Sequence, residues 1–265
     1  MKPLHIQYKV LVHAVSGLLL VGWGWNAHGE DGDAGSGYEG GRGLITLEGP
    51  SGLFINPTSA TLPKNAYTAQ YCVFFPDNRS DVVGHGALGS FGSTDDFEFG
   101  AIATFLDFKG DGGHAESVGP YATYRIRKDD GTLPQISAGG YSRLGDKPLT
   151  HYTIFTAAYK RVPIHEDCPL RAVGLHAGVR QKWFHPDVPN DDTFAGYLGG
   201  ELQLPLRVYA VSEITSRDRD VARHIPYSLG LQWRAAGIAM SMAAIQNGNT
   251  SDLSFYYGIG VSHSF

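Results

Sequence analysis

The final stretch of the chain, Leu253 to Phe265, alternates from residue to residue. Leu253, Phe255, Tyr257, Ile259, Val261, His263 and Phe265 are apolar or bulky. Ser254, Tyr256, Gly258, Gly260, Ser262 and Ser264 between them are small or polar. Successive side chains of a strand point to opposite faces, so this segment makes one greasy face and one polar face. A greasy face turned outward and a polar face turned inward is the arrangement of a transmembrane β-barrel strand. A soluble β-sandwich or lectin-like binding module would also alternate, with the apolar face turned inward, and that alternative stays open at this point.

The other end of the chain favours the membrane. Met1 to about Gly29 reads as a secretory signal peptide: Lys2 and Lys9 precede a mostly apolar run from Val10 to Trp25, and Ala27 and Gly29 suit a signal peptidase. The run is shorter than the ~20 apolar residues a spanning helix needs, and Gly17, Gly22 and Gly24 interrupt it. No Cys follows it, which argues against a lipoprotein. Past residue 29 no apolar run approaches the length of a membrane helix. A membrane-spanning reading therefore demands a closed barrel, since only helices and barrels satisfy their backbone groups in lipid.

Composition agrees with a barrel whose strands are half wetted. Charged residues are 18%, below the ~25% usual in soluble domains. Gly supplies 35 of 265 residues, and aromatics reach 12%. Loss of residues 1–29 takes away two Lys and no acid, moving the formal charge from −5 to −7. No basic patch with interleaved aromatics occurs, so no nucleic-acid partner is expected.

Along the chain, residues 30–43 are Gly-rich and acidic and read as a flexible linker. Residues 44–65 are apolar and broken by Pro50, Pro57 and Pro63. They are expected to fold as a plug-like segment in the lumen or against the periplasmic rim. Residues 66–265 then form the barrel, with strands expected near 66–75, 82–91, 96–108, 117–128, 133–142, 151–162, 171–184, 193–204, 206–215, 226–235, 237–246 and 252–265. The fold class is therefore all-β, an antiparallel transmembrane β-barrel of about twelve strands, with ten to fourteen allowed. The stretch 206–215 is ambiguous, because turning Glu213 inward turns Tyr209 and Val211 inward as well. Cys72 falls in the first strand and Cys168 in a loop about halfway round the barrel. Export permits a disulfide, and their pairing stays open.

Two segments resemble known families. The alternating last strand ending on Phe265 resembles the C-terminal assembly signal of bacterial outer-membrane barrels, carried here by Tyr257, Ile259, Val261, His263 and Phe265. That signal usually holds an aromatic residue where this chain has His263. The Gly-Pro-Ser-Gly and Asn-Pro-Thr steps within 44–65 resemble the lead-in of exopolysaccharide-associated outer-membrane barrels, with an echo of the Asn-Pro of the long-chain fatty-acid transporters. The resemblance implies export through the periplasm to the outer membrane. It also implies the barrel-assembly machinery, outer-membrane lipid and lipopolysaccharide as partners, with exopolysaccharide transport as a context.

Chemistry is sparse. Outer-membrane lipid enzymes place Ser and His on one outward face, with His two residues before Ser. Here the nearest match is Ser262-His263-Ser264, whose adjacent side chains face opposite ways. His85, His114, His151, His165, His185 and His224 fall in expected loops or near strand ends. No CxxC or HExxH occurs, so neither a metal nor another cofactor is expected. The candidate lumen residues are Glu98, Arg125, Arg127, Arg180, Lys182, Glu201, Glu213 and Arg234, charges of both signs. They suit either a closed, ion-paired interior or a narrow pore. The expected role is non-enzymatic: an envelope structural protein or a porin-like passage for a small solute or saccharide. A lipid-acting enzyme is the alternative.

Overall fold

The computed structural model describes residues 43–264 apart from 48, 77–80, 110–111, 165–169, 185–191, 218–222, 236 and 249–251. Among them, twelve strands follow one another: β1 (Ala66–Phe75), β2 (Val82–Gly92), β3 (Phe97–Phe108), β4 (His114–Arg127), β5 (Gln135–Gly145), β6 (His151–Pro163), β7 (Ala172–Phe184), β8 (Thr193–Gln203), β9 (Val208–Thr215), β10 (Tyr227–Ala235), β11 (Ile238–Gln246) and β12 (Ser254–Ser264). Each pairs antiparallel with its neighbours in the chain, and β1 pairs with β12 from Ala66↔Ser264 to Phe75↔Phe255. That last ladder closes the sheet into a barrel and leaves no free edge.

The alternation read from the sequence sets the two faces. Tyr227, Leu229, Leu231 and Trp233 of β10 are exposed, whereas Ser228, Gln232 and Arg234 are buried. On β3, Phe97, Phe99 and Phe105 point out and Glu98 and Thr104 point in. The ambiguous β9 resolves in favour of Glu213: Tyr209, Val211 and Glu213 are all buried inside, and Ile214 is exposed. The exterior is thus an apolar belt, and the buried face carries Gln, Ser, Thr, Tyr and charged groups.

At the terminal end, where β1 begins and β12 finishes, the connection from β8 to β9 is a tight turn. Leu206 and Arg207 adopt φ of 60° and 61° there. Left-handed geometry cannot continue a strand, so β9 starts at Val208 rather than at 206. His85 differs from expectation too: it lies inside β2 and its Nδ1 is 2.6 Å from the Tyr71 hydroxyl. Cys72 is a free, buried thiol on β1. Cys168, like residues 1–42 with the expected signal peptide, lies outside the described residues.

Candidate functional site

The lumen is filled by the chain itself. Leu44, Ile45, Leu53, Phe54, Ile55 and Leu62 are each at most 4% exposed, although residues 43–65 belong to no strand of the barrel. The segment folds back on itself through the bridges Ile45↔Ser51 and Gly52↔Pro57 and the bond from Leu47 N to Phe54 O at 2.8 Å. Two arms lie toward the terminal end: Leu44 sits against Gly260, and Asn65 N donates to Gly92 O at 2.8 Å. Between them the Leu47 carbonyl reaches Arg143 Nη2, 3.3 Å away, in the far third of β5. Inward glycines make room for the apolar side chains. A Cβ at Gly199 would meet Leu53 Cδ1 at 2.4 Å, and one at Gly230 would meet Phe54 Cζ at 2.7 Å. Phe54 also packs edge-on against Tyr256, with ring centroids 5.8 Å apart.

Apolar packing alone would leave the segment's backbone groups unmet in a dry interior, a cost the barrel wall removes. Glu213 takes the largest share. Its Oε1 accepts from Phe54 N (2.8 Å), Ile55 N (2.5 Å) and the Ser228 hydroxyl (2.8 Å). Its Oε2 accepts from Asn56 N (3.1 Å) and Asn56 Nδ2 (2.8 Å). Glu98 accepts from Leu62 N at 2.7 Å and from the Tyr121 hydroxyl. Donors on the wall meet the segment's carbonyls: Gln135 Nε2 and the Ser137 hydroxyl donate to Ser59 O, the Tyr197 hydroxyl to Pro57 O, Gln232 Nε2 to Leu53 O and the Tyr256 hydroxyl to Ile45 O. Glu213 and Glu98 thus hold the segment at two separate places.

The remaining candidates divide. Glu201 is buried with Arg234, whose Nη2 donates to it at 2.7 Å, and His176 Nε2 lies 3.1 Å from its other oxygen. The Arg234 guanidinium also stacks over the Tyr209 ring at 4.3 Å. Arg180 Nη1 reaches Ile55 O at 3.5 Å, and Lys182 lies 5.5 Å over the Phe184 ring. Arg125 and Arg127 are not brought into this cluster. They stand at the terminal end of β4, where Arg125 binds Asp96 (2.8 Å) and Arg127 binds Asp130 (2.6 Å). On β12, Tyr257 is exposed and Ile259, Val261 and His263 are half-buried, while Phe265 lies outside the described residues.

Arg143 escaped the sequence reading because the strand expected over 133–142 stops one residue short of it. The alternation of Gln135, Ser137, Tyr141 and Arg143, all buried, was the available signal. Register places Arg143 opposite His151, Thr153 opposite Lys182 and Phe155 opposite Arg180. One inner wall, β5 to β7, is therefore basic in its far third, whereas Glu98, Glu201 and Glu213 come from β3, β8 and β9. Among the described residues no group of three His, Cys, Asp or Glu is placed to hold a metal ion.

A scan against protein-family models finds no match, and a search of curated proteins finds none either. Solved structures do match. The KdgM porin superposes with a TM-score of 0.52 at 10% identity, over 75% of this chain and 99% of that one. The Omp33 outer membrane protein of Acinetobacter baumannii gives 0.49 at 8% identity, over 76% and 99%. The KdgM porin in complex with disordered oligogalacturonate gives 0.48 at 11% identity, over 75% and 99%. At these identities the first superposition speaks for the barrel fold.

Proposed function

We propose that the chain is a non-enzymatic outer-membrane β-barrel and a gated passage for a small solute or saccharide, closed by its own segment 44–65. In bacterial barrels both termini are periplasmic, so the terminal end faces the periplasm and the basic wall of Arg143, Arg180 and Lys182 faces outward. The apolar exterior supports membrane insertion. The Gln, Ser, Thr and Tyr lining supports a hydrated solute with many hydroxyls, and exopolysaccharide transport remains the context implied by the resemblance of 44–65.

One observation carries the gating reading: the segment is held by hydrogen bonds to wall side chains, chiefly those of Glu213 and Glu98, rather than built into the sheet. Hydrogen bonds of this kind can be exchanged for water without breaking a single ladder of the barrel. Planar-bilayer conductance tests it. The refolded mature chain is expected to be silent or to open rarely, a chain lacking residues 30–65 to conduct in steps, and Glu213→Gln to open intermittently. Equal conductance of the mature chain and the deletion would remove the plug from the account. Silence of both, with insertion demonstrated, would leave a structural role.

A further inference from the structure

We propose that the outer face of β5 to β9 carries a seat for one lipid with an anionic phosphate headgroup, its acyl chain lying across the strands and its headgroup at Arg217. The inference rests on the membrane reading above and concerns a surface that reading does not use. Two adjacent rows of outward residues form the seat. Register aligns Ile136, Ala158, Ala177, Leu198 and Ile214 in one row across five strands. The neighbouring row runs Thr156, Val179 and Gly196 and reaches Ser216 through the bond from Ser216 N to Gly196 O at 2.7 Å.

The first row is low at Ala158 and Ala177 and the second at Gly196, where little or nothing rises above the backbone, while Thr156 and Val179 stand beside them. A Cβ at Gly196 would meet nothing nearer than a carbonyl oxygen at 3.9 Å. Exposed Phe194 and Leu175 stand on the flanking rows. The result is a groove of about 780 Å³, within the range of small-molecule sites. It slants across the belt because barrel strands tilt ~35–45° from the axis. Its lining is mostly apolar, with Thr156 on β6 an exception, and Arg217 and Ser216 close its far end beside Ile225. A cation at the outer rim of a greasy trough complements an amphiphile whose charged end is a phosphate, since such bonds are charge-assisted. A neutral or zwitterionic lipid would fill the trough without using Arg217.

Native mass spectrometry of the mature protein in detergent, with dimyristoylphosphatidylglycerol or dimyristoylphosphatidylcholine added, reads this out. The wild type is expected to retain one phosphatidylglycerol and little phosphatidylcholine. Gly196→Leu and Ala177→Leu fill the trough and should abolish retention, while Ala101→Leu on the exterior of β3, outside the seat, should not. Arg217→Gln should weaken phosphatidylglycerol retention roughly ten-fold, the worth of one charge-assisted bond. Heat-modifiable gel mobility confirms that each variant has folded. Retention unaffected by filling, or equal retention of both lipids, would overturn the seat. A wild-type dimer dissolved by Gly196→Leu would also overturn it, assigning the face to a second copy. Absence of heat-modifiable mobility in every protein would fail the membrane reading itself, and the seat with it.

Discussion

Glu213 shows how one side chain can satisfy three backbone amides of a segment inside a lumen. Truncation to Ala would strand the amides of Phe54, Ile55 and Asn56 in a buried site, and each stranded group costs about 1–3 kcal/mol. Loss on the order of 3 kcal/mol from local opening makes exchange of the 54–56 amides ~100-fold faster. Hydrogen-exchange mass spectrometry of that peptide should show this in Glu213→Ala, with strand amides of β6 and β7 unchanged. Uniform acceleration throughout would mean that the substitution unfolds the barrel instead. A second carboxylate works at the terminal end of the barrel. Asp130 accepts from Leu133 N and Thr132 N and pairs with Arg127, and these contacts hold its pKa down to about 2 from an ordinary 3.8. A depressed pKa stabilises the fold fully above the unfolded value and less as pH falls through the folded one. The β4–β5 turn should therefore keep its order down to about pH 4 and lose it toward about pH 2. The carboxyl carbon resonance of Asp130 reports it directly; titration near 4 would contradict the geometry.

At the scale of the strand, the sequence was legible wherever an exposed apolar face alternates with a buried polar one. The alternation of Phe97, Phe99 and Phe105 against Glu98 and Thr104 needs no partner strand to be read, and β3, β6, β7 and β10 fall within a residue or two of their expected limits. Legibility failed where local backbone or tertiary partners decide. Nothing in Pro205-Leu206-Arg207 announces two left-handed residues, so the strand expected over 206–215 starts only at Val208. Nothing in Glu213 alone distinguishes a pore charge from an acceptor for three buried amides; those amides lie more than 150 positions away in the chain. The same alternation makes a test of what surrounds the barrel. Leu231 is 45% exposed at the middle of β10. In a soluble protein Leu231→Arg would change stability by less than ~0.5 kcal/mol. At the midplane of a bilayer it should cost about 2–4 kcal/mol. Urea unfolding of the two proteins in lipid vesicles separates these cases, and a neutral result would count against the membrane.

For the whole molecule, the closed sheet and the segment inside it solve different problems. Closure satisfies every strand edge, so the barrel does not depend on its contents for hydrogen bonding, whereas the segment depends on the wall for most of its own. That asymmetry is what the proposed gating relies on. It also fixes what an emptied lumen would select. Glu98, Glu201 and Glu213 share it with Arg143, Arg180, Lys182 and Arg234, three acids and four bases among the described residues. With Glu201 neutralised by Arg234, the basic groups concentrate on β5 to β7 and the other two acids lie on β3 and β9, so a field runs across the lumen rather than along it. Selectivity should then be slight: the chain lacking residues 30–65 is expected to prefer anions weakly in a salt gradient, and the preference should fade at 1 M salt, where the Debye length shrinks to about 3 Å. Lys182→Gln should shift the reversal potential toward cations and Glu213→Gln toward anions, in opposite directions and by similar amounts. A strong preference for either sign, indifferent to both substitutions, would mean that ions cross the barrel by a route these residues do not line.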